Sequence, residues 1–326
     1  QNIPTQWSQK ENIAWKVEVP GVGHASPVVL GDAVFLVTCD EKTKERILLC
    51  LDRRNGLELW RRVVGTGFQL DNRSNYASPS PATDGEVVTF FYGNGDLATF
   101  DLNGKKLWAK KIQAEENGFA FQWTFSTSPL LHNDVLYLQV LQRNTGVRGH
   151  GKANGNESYL LALNPKTGKQ LWKHNRPSNA KAESLEAFST PMPFTHNGRE
   201  ELLIVGGDCL TGHNPKTGKE LWRWGTWNPS RIGHWRLVPS PAAGGGVILA
   251  CAPKGSPVYA VKAGAKGEGE LAWKSAGRTD DISSDVCTPL FYQGKFYVMY
   301  GEGRDKMLSC VNSATGKAYW KINLES

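Results

Sequence analysis

Tryptophan recurs along this chain in one repeated setting, and no other feature limits the fold as tightly. Trp15, Trp60, Trp108, Trp172, Trp222, Trp273 and Trp320 follow one another at intervals of 45, 48, 64, 50, 51 and 47 residues. A glycine stands four positions ahead of each of the last six: Gly56, Gly104, Gly168, Gly218, Gly269 and Gly316. The segments Asn164–Trp172 and Asn214–Trp222 differ at one position only, and Asn312–Trp320 keeps the Asn, Thr, Gly, Lys and Trp. Asp52 and Asp101 open looser versions of the same turn. A second marker precedes each repeat: Ser26-Pro27, Ser80-Pro81, Ser128-Pro129, Thr190-Pro191, Ser240-Pro241 and Thr288-Pro289.

The first repeat shows what lies between the markers. After Ser26-Pro27 come a short apolar run, a Gly31-Asp32 turn, the run Ala33–Val37, a loop, Ile47–Leu51, the Asp52–Gly56 turn and Leu59–Val64. These are four short strands with no helical period. Asp or Asn opens the last turn because its side chain bonds the backbone two residues on; Gly closes it because only Gly takes positive φ cheaply. Repeats of roughly 40–50 residues, each a four-stranded antiparallel sheet, mark a β-propeller. Each sheet is too small to bury its own face, so the repeated Trp is expected to pack between neighbours.

The reading is therefore all-β and one propeller domain over residues 1–326. Six complete blades are expected at residues 26–64, 78–112, 127–176, 189–227, 240–277 and 287–324, with a lone outer strand at residues 14–19 carrying Trp15. That strand calls for three inner partners, which makes a seventh blade; the resemblance given below implies an eight-bladed ring, so the chain is expected to be part of a seven- or eight-bladed ring, short by roughly 75 residues at this repeat length. A six-bladed ring with the Trp15 strand added at an edge is the rival, disfavoured because an orphan edge strand invites aggregation.

Composition narrows the function classes. Lys and Arg number 38 against 31 Asp and Glu, for a net charge of +7, and the cations are spread along the chain. Nucleic-acid binding would show clustering, so no nucleic-acid partner is expected. No apolar run approaches the roughly 18 residues that a membrane-spanning helix needs. The sequence opens at Gln1 without Met or an apolar leader, which reads as an exported chain, periplasmic or secreted, with its leader removed. The six Cys form no CxxC pair. Cys39 and Cys50 end one predicted hairpin, where a disulfide would fit an oxidising compartment. Cys50 and Cys310 stand where another repeat has Ala162, which favours small buried thiols.

The Leu-Asn-Pro-Lys-Thr-Gly-Lys-x-Leu-Trp pattern resembles the tryptophan-docking repeat of pyrroloquinoline quinone (PQQ) propellers. That superfamily contains the quinoprotein alcohol dehydrogenases and the BamB-type lipoprotein of the outer-membrane β-barrel assembly machinery. The segments Gly206–His213 and Arg231–Pro241 look like those of secreted bacterial PQQ-like repeat proteins. The resemblance implies the fold strongly and the function weakly, because the motif is a packing device shared by enzymes and scaffolds. The enzyme branch implies PQQ, calcium, a catalytic carboxylate and adjacent cysteines stacked on the cofactor. This sequence has no Cys-Cys pair. The expectation is a non-catalytic, envelope-associated scaffold without cofactor or metal; a PQQ- and calcium-dependent dehydrogenase is the runner-up.

The long loops joining one repeat to the next are where a site is expected, since propeller loops of this kind reach the channel mouth and loops on a rigid scaffold carry function. The residues picked there for a protein partner or small ligand are His24, Arg73, Trp123, Glu186, Arg231, His234, Trp235, Arg236 and Asp285. Arg231, His234 and Arg236 beside Trp227 and Trp235 suit an anionic group or a partner hot spot; an Arg stacked on Trp to order the loop is the bland alternative. Trp123, Trp227 and Trp235 also motivate a sugar-binding reading. Asp280, Asp281 and Asp285 could hold calcium, but they lack the Asp-x-Asp-x-Asp-Gly spacing and read as a solvated acidic loop.

Overall fold

The computed structural model describes residues 4–116, 118–225, 227–302 and 305–324. Among the described residues the chain forms six sheets with four antiparallel strands each, of the β-propeller class, and a separate two-stranded hairpin, Thr145–Val147 with His150–Asn154. The first comprises Val28–Leu30, Ala33–Cys39, Glu45–Asp52 and Glu58–Thr66; the second, Ala82–Thr83, Val87–Phe91, Asp96–Asp101 and Lys106–Lys111. The third comprises Leu130–His132, Val135–Val140, Tyr159–Leu163 and Gln170–Asn175. The fourth runs over Met192–His196, Arg199–Gly206, Cys209–His213 and Glu220–Trp224, and gains a parallel fifth strand from Gly267–Glu268. The fifth comprises Ala242–Gly244, Val247–Cys251, Val258–Lys262 and Leu271–Lys274; the sixth, Leu290–Tyr292, Lys295–Glu302, Asp305–Asn312 and Ala318–Asn323.

Two compact units divide the chain. One holds residues 1–115, 123–128 and 165–168; the other holds residues 116–122, 129–164 and 169–326. In the first, Phe35, Val37, Trp60, Phe90 and Phe100 share a core. In the second, Leu203, Val205, Trp222, Trp224 and Ile248 do so. Among the described residues no helix is long and apolar enough to cross a membrane.

The two sequence markers act as two kinds of link between consecutive sheets. Each repeated Trp faces a small residue across its own ladder: Cys50, Thr99, Ala162, Gly212, Ala260 and Cys310 oppose Trp60, Trp108, Trp172, Trp222, Trp273 and Trp320. A register shift follows at once in all six ladders, and such a bulge re-aims a side chain. The indole then meets the next turn. Trp15 Nε1 donates to the Arg53 carbonyl at 2.8 Å, Trp60 to Leu102 at 3.0 Å, Trp108 to Pro165 at 2.7 Å, Trp172 to Pro215 at 3.1 Å and Trp273 to Ser313 at 2.8 Å. The ring lies on the turn glycine. A Cβ on Gly56, Gly104, Gly168, Gly218 or Gly316 would stand 2.5–2.7 Å from it, and all five glycines have positive φ. Within the turn, Asn214 Oδ1 accepts the Lys216 N–H at 2.8 Å and its carbonyl accepts the Gly218 N–H at 2.8 Å.

The Ser/Thr-Pro marker supplies the second link. The backbone N–H of Ser26 donates to Ser80 Oγ and that of Ser80 to Ser128 Oγ; likewise Thr190 donates to Ser240 and Ser240 to Thr288, each at 2.9 Å. The hydroxyl at this position is the acceptor, supplied by Ser at three of these links and by Thr288 at the fourth.

Two expectations are corrected, and for Cys39 and Cys50 the favoured reading of buried thiols holds over the alternative disulfide. Residues 14–19 join no ladder; the segment is held by Trp15 on Gly56, and its first pairing is a lone bridge from Val22 to Cys39. Gly269 does not repeat the glycine turn. The longer connection from Ala263 to Glu270 pairs part of itself with the fourth sheet, so Trp222 donates instead to Glu201 Oε2 at 2.5 Å. Cys39 and Cys50 do not meet: Cys39 lies opposite Arg46 and Cys50 opposite Phe35, and all six Cys are free.

The seat can be separated from the φ requirement by two substitutions. Gly198 (φ +75°) has open space where a Cβ would go, whereas at Gly218 (φ +72°) a Cβ would strike Trp172. Gly198→Ala should cost roughly 1–2 kcal/mol for the left-handed backbone alone, and Gly218→Ala roughly 2–5 kcal/mol. Equal losses in chemical denaturation would show that the indole does not need the glycine.

Candidate functional site

Within the second unit, four loop segments knit together around Glu186. Ala187 bridges Leu141 on one side and Leu237 on the other. Its neighbours extend the contact: Phe188 N–H donates to the Leu237 carbonyl at 2.9 Å and Leu237 N–H to the Glu186 carbonyl at 3.2 Å. The Glu186 side chain is fully buried. It pairs with Arg143 Nε, and both carboxylate oxygens accept the Gln122 N–H at 3.2 Å. Arg143 closes the circuit by donating to Gln122 Oε1 at 2.6 Å. Phe121 packs on Phe188 with centroids 5.6 Å apart.

Burial pushes the Glu186 carboxyl up to about 7, against the pull of Arg143 and the Gln122 N–H, with Glu183 adding a further upward push. The group titrates near neutrality but has no exposed surface, so it acts on the loops that enclose it and not on a ligand.

The remaining predicted residues fall into separate places. Arg231 and His234 are exposed, and Trp235 and Arg236 are half-buried. Arg231 has φ +51° and donates from Nε to the Asn179 carbonyl at 2.6 Å. Trp235 N–H donates to Ser184 Oγ at 2.8 Å, and Ser184 donates to the Ile232 carbonyl at 2.5 Å. Arg236 faces Glu183 at 3.5 Å. Trp227 is buried against Trp224 and Tyr259, which removes it from any sugar-stacking surface. Asp285 caps the Lys254 N–H at 2.9 Å. Asp280 accepts the Ala276 and Ile282 N–H groups, and Asp281 faces Lys321 at 3.8 Å.

The first unit holds the other predicted residues. Arg73 lies over Trp123 at 5.7 Å, the stacked arrangement. Asp71 beneath them is partly buried, yet bonds from Thr124, Arg73 and Ser74 hold its carboxyl below the usual range. His24 is exposed, with Nδ1 3.5 Å from Ser78 Oγ.

Sequence reasoning missed Arg143, Gln122 and the buried Arg176. Arg176 donates to the Gly206 and Cys209 carbonyls at 3.0 Å and to Thr211 Oγ1 at 2.9 Å. Beside it, burial pushes His213 down to about 3, Arg176 adding to the effect. All four lie outside the repeat markers, so no periodicity signals them. Among the described residues, no group of three or more His, Cys, Asp or Glu side chains converges on a common metal position. The loop carboxylates described above bond instead to their own chain.

Residues 6–145 and 119–266 match the family described as Outer membrane protein assembly factor BamB. The chain belongs to this family of PQQ-like repeats. The crystal structure of BamB from Moraxella catarrhalis is similar over 96% of this chain and 78% of that one, at 15% identity and a TM-score of 0.62. Quinohemoprotein alcohol dehydrogenases from Pseudomonas putida HK5 and Comamonas testosteroni match 96% of this chain and 62% of theirs, at 13% identity and a TM-score of 0.59. At these identities the likeness is one of fold. Tetrathionate hydrolase from Acidithiobacillus ferrooxidans is 24% identical over 179 residues, 50% of this chain and 31% of that enzyme. The chain thus matches under a third of that curated relative's length.

The raised Glu186 carboxyl implies a pH dependence of stability. A carboxyl raised in the folded state contributes most below its unfolded value, near 4.5, and that contribution is lost as pH rises through about 7. Parent protein should therefore lose roughly 1–3 kcal/mol between pH 5 and pH 8 that Glu186→Gln does not lose. Denaturation midpoints of both proteins at the two pH values check this; parallel shifts would exclude Glu186 as the titrating group.

Proposed function

We propose that this chain is a non-catalytic binding scaffold of the cell envelope, holding a protein partner on the loops that connect its sheets. Membership of the BamB family is the observation that carries the reading. The loop geometry supports it. Glu186 pairs with Arg143 and Glu183 with Arg236, and the same loops present Arg231 and His234 exposed and Trp235 half-buried. Rigid Arg and Trp side chains of this kind are what partner hot spots favour. His24, Arg73 with Trp123, and Asp285 are proposed as further contact points, and the periplasm or the exterior as the location. The reading involves no cofactor.

The quinoprotein reading differs in one measurable way. Calorimetric titration of metal-stripped protein with PQQ, with and without calcium, should give no saturable heat; calcium-dependent binding at one site per chain would overturn the scaffold reading. A photo-crosslinker at His234 should trap a discrete envelope protein. Arg231→Glu with a crosslinker retained at 234 should lower the yield at least tenfold per folded molecule, the folded fraction being read from its melting curve because Arg231 also donates to the Asn179 carbonyl.

A further inference from the structure

A groove in the first unit stands apart from every loop described above. It runs along the fourth strands of the first two sheets and encloses about 530 Å³, within the roughly 300–1,000 Å³ range of small-ligand sites. Its floor is apolar: Val63, Val64, Leu97, Ala98 and Phe100. Cations line it as well: Arg62, Lys106, Lys110 and Lys111.

The charges of the groove do not balance. Its two carboxylates are already matched, Asp96 by Arg46 and Glu115 by Lys110 at 2.5 Å. Arg62 is bound by carbonyl oxygens only, those of Gly104 and Arg61 at 2.7 and 2.6 Å, and stacks over Trp60 at 5.6 Å. Lys106 and Lys111 are exposed and take part in none of the ion pairs among the described residues. Three positive charges therefore border an apolar floor with no counter-charge. A Lys-rich edge strand protects against unwanted pairing, which accounts for the lysines but not for the floor. Tyr92 is the second observation. It lines the groove, is 1% exposed, and keeps its hydroxyl out of water without a partner. A buried hydroxyl without an acceptor is a costly vacancy in the hydrogen-bond pattern.

We propose that this groove binds a single-chain amphiphile with an anionic head, the chemistry of a free fatty acid. The acyl chain covers the Val63–Phe100 floor and the carboxylate takes the charge of Lys106, Lys111 and Arg62. The proposal is independent of the loop surface and of the scaffold reading, because no residue is shared between them.

Titration calorimetry of the intact chain tests it with three probes below their micelle concentrations: dodecanoate, butyrate and dodecyltrimethylammonium. Dodecanoate should saturate one site per chain, with butyrate and the cationic amphiphile at least tenfold weaker. Lys106→Glu combined with Lys111→Glu should weaken dodecanoate at least tenfold and leave the melting temperature unchanged, since both side chains are exposed. Ala109→Trp, at another exposed lining position, should block binding sterically whatever the charge. Equal affinity for the anionic and cationic chains, or charge reversal without effect, would overturn the proposal. So would flotation with phosphatidylglycerol vesicles in the absence of dodecanoate binding, which would assign the same cations to a membrane surface.

Discussion

One contact underlies the architecture: an indole ring laid on the Cα of a glycine, with its N–H given to a carbonyl of the same turn. It recurs at five of the six junctions with nearly constant geometry, from Trp15 on Gly56 to Trp273 on Gly316, the junction of Trp222 being the exception. Glycine meets two demands there at once. The turn needs positive φ, and the ring needs the space that a Cβ would occupy. The small residue opposite each Trp and the bulge beside it meet a third demand, since they direct the ring out of its own sheet. A single repeat cannot bury its apolar face without its neighbours, so much of the stability resides in these junctions and in the hydroxyl links of the Ser/Thr-Pro marker.

The junctions leave the intersheet loops free to differ, and the loops use that freedom for polar chemistry. Around Glu186 they build a closed circuit of carboxylate, guanidinium and amide, paid out of sequence that belongs to no repeat. Such a buried network specifies one arrangement of several loops because each member is satisfied only when the others are in place. The outcome is a firm surface with a few exposed heads. The proposed scaffold role draws on that surface for recognition rather than for chemistry on a bound substrate. The fold itself does not make this distinction, since the same architecture serves BamB and the quinohemoprotein dehydrogenases.

The exception at the fifth sheet is equally informative. Where the connection from Ala263 to Glu270 replaces the short Asn-led turn, the indole of Trp222 has no turn carbonyl to reach and takes a buried glutamate instead. The neighbouring sheet gains a fifth, parallel strand from the same connection. The Trp is kept and remains buried while its hydrogen-bond partner changes.

The propeller class, the four strands of each repeat and the role of the repeated Trp were legible in the sequence, because a packing solution used again and again leaves a periodic record. The meaning of the Ser/Thr-Pro marker was not, since its hydroxyl accepts from a segment some fifty positions away; nor was that of the small residue opposite each Trp, since the ladder register that pairs them is set by the fold. The loops were legible only as places. Sequence pointed to Glu186, Arg231 and Trp235 but not to Arg143 or Gln122, and it placed Trp227 on a surface when it lies in the core. What the sequence alone determined about this protein is therefore what repeats: turn chemistry and strand period, dictated by local backbone sterics. Only the tertiary structure decided which carboxylate is buried, which guanidinium neutralises it and which cations are left unmatched, because burial and charge pairing depend on neighbours that no local pattern encodes.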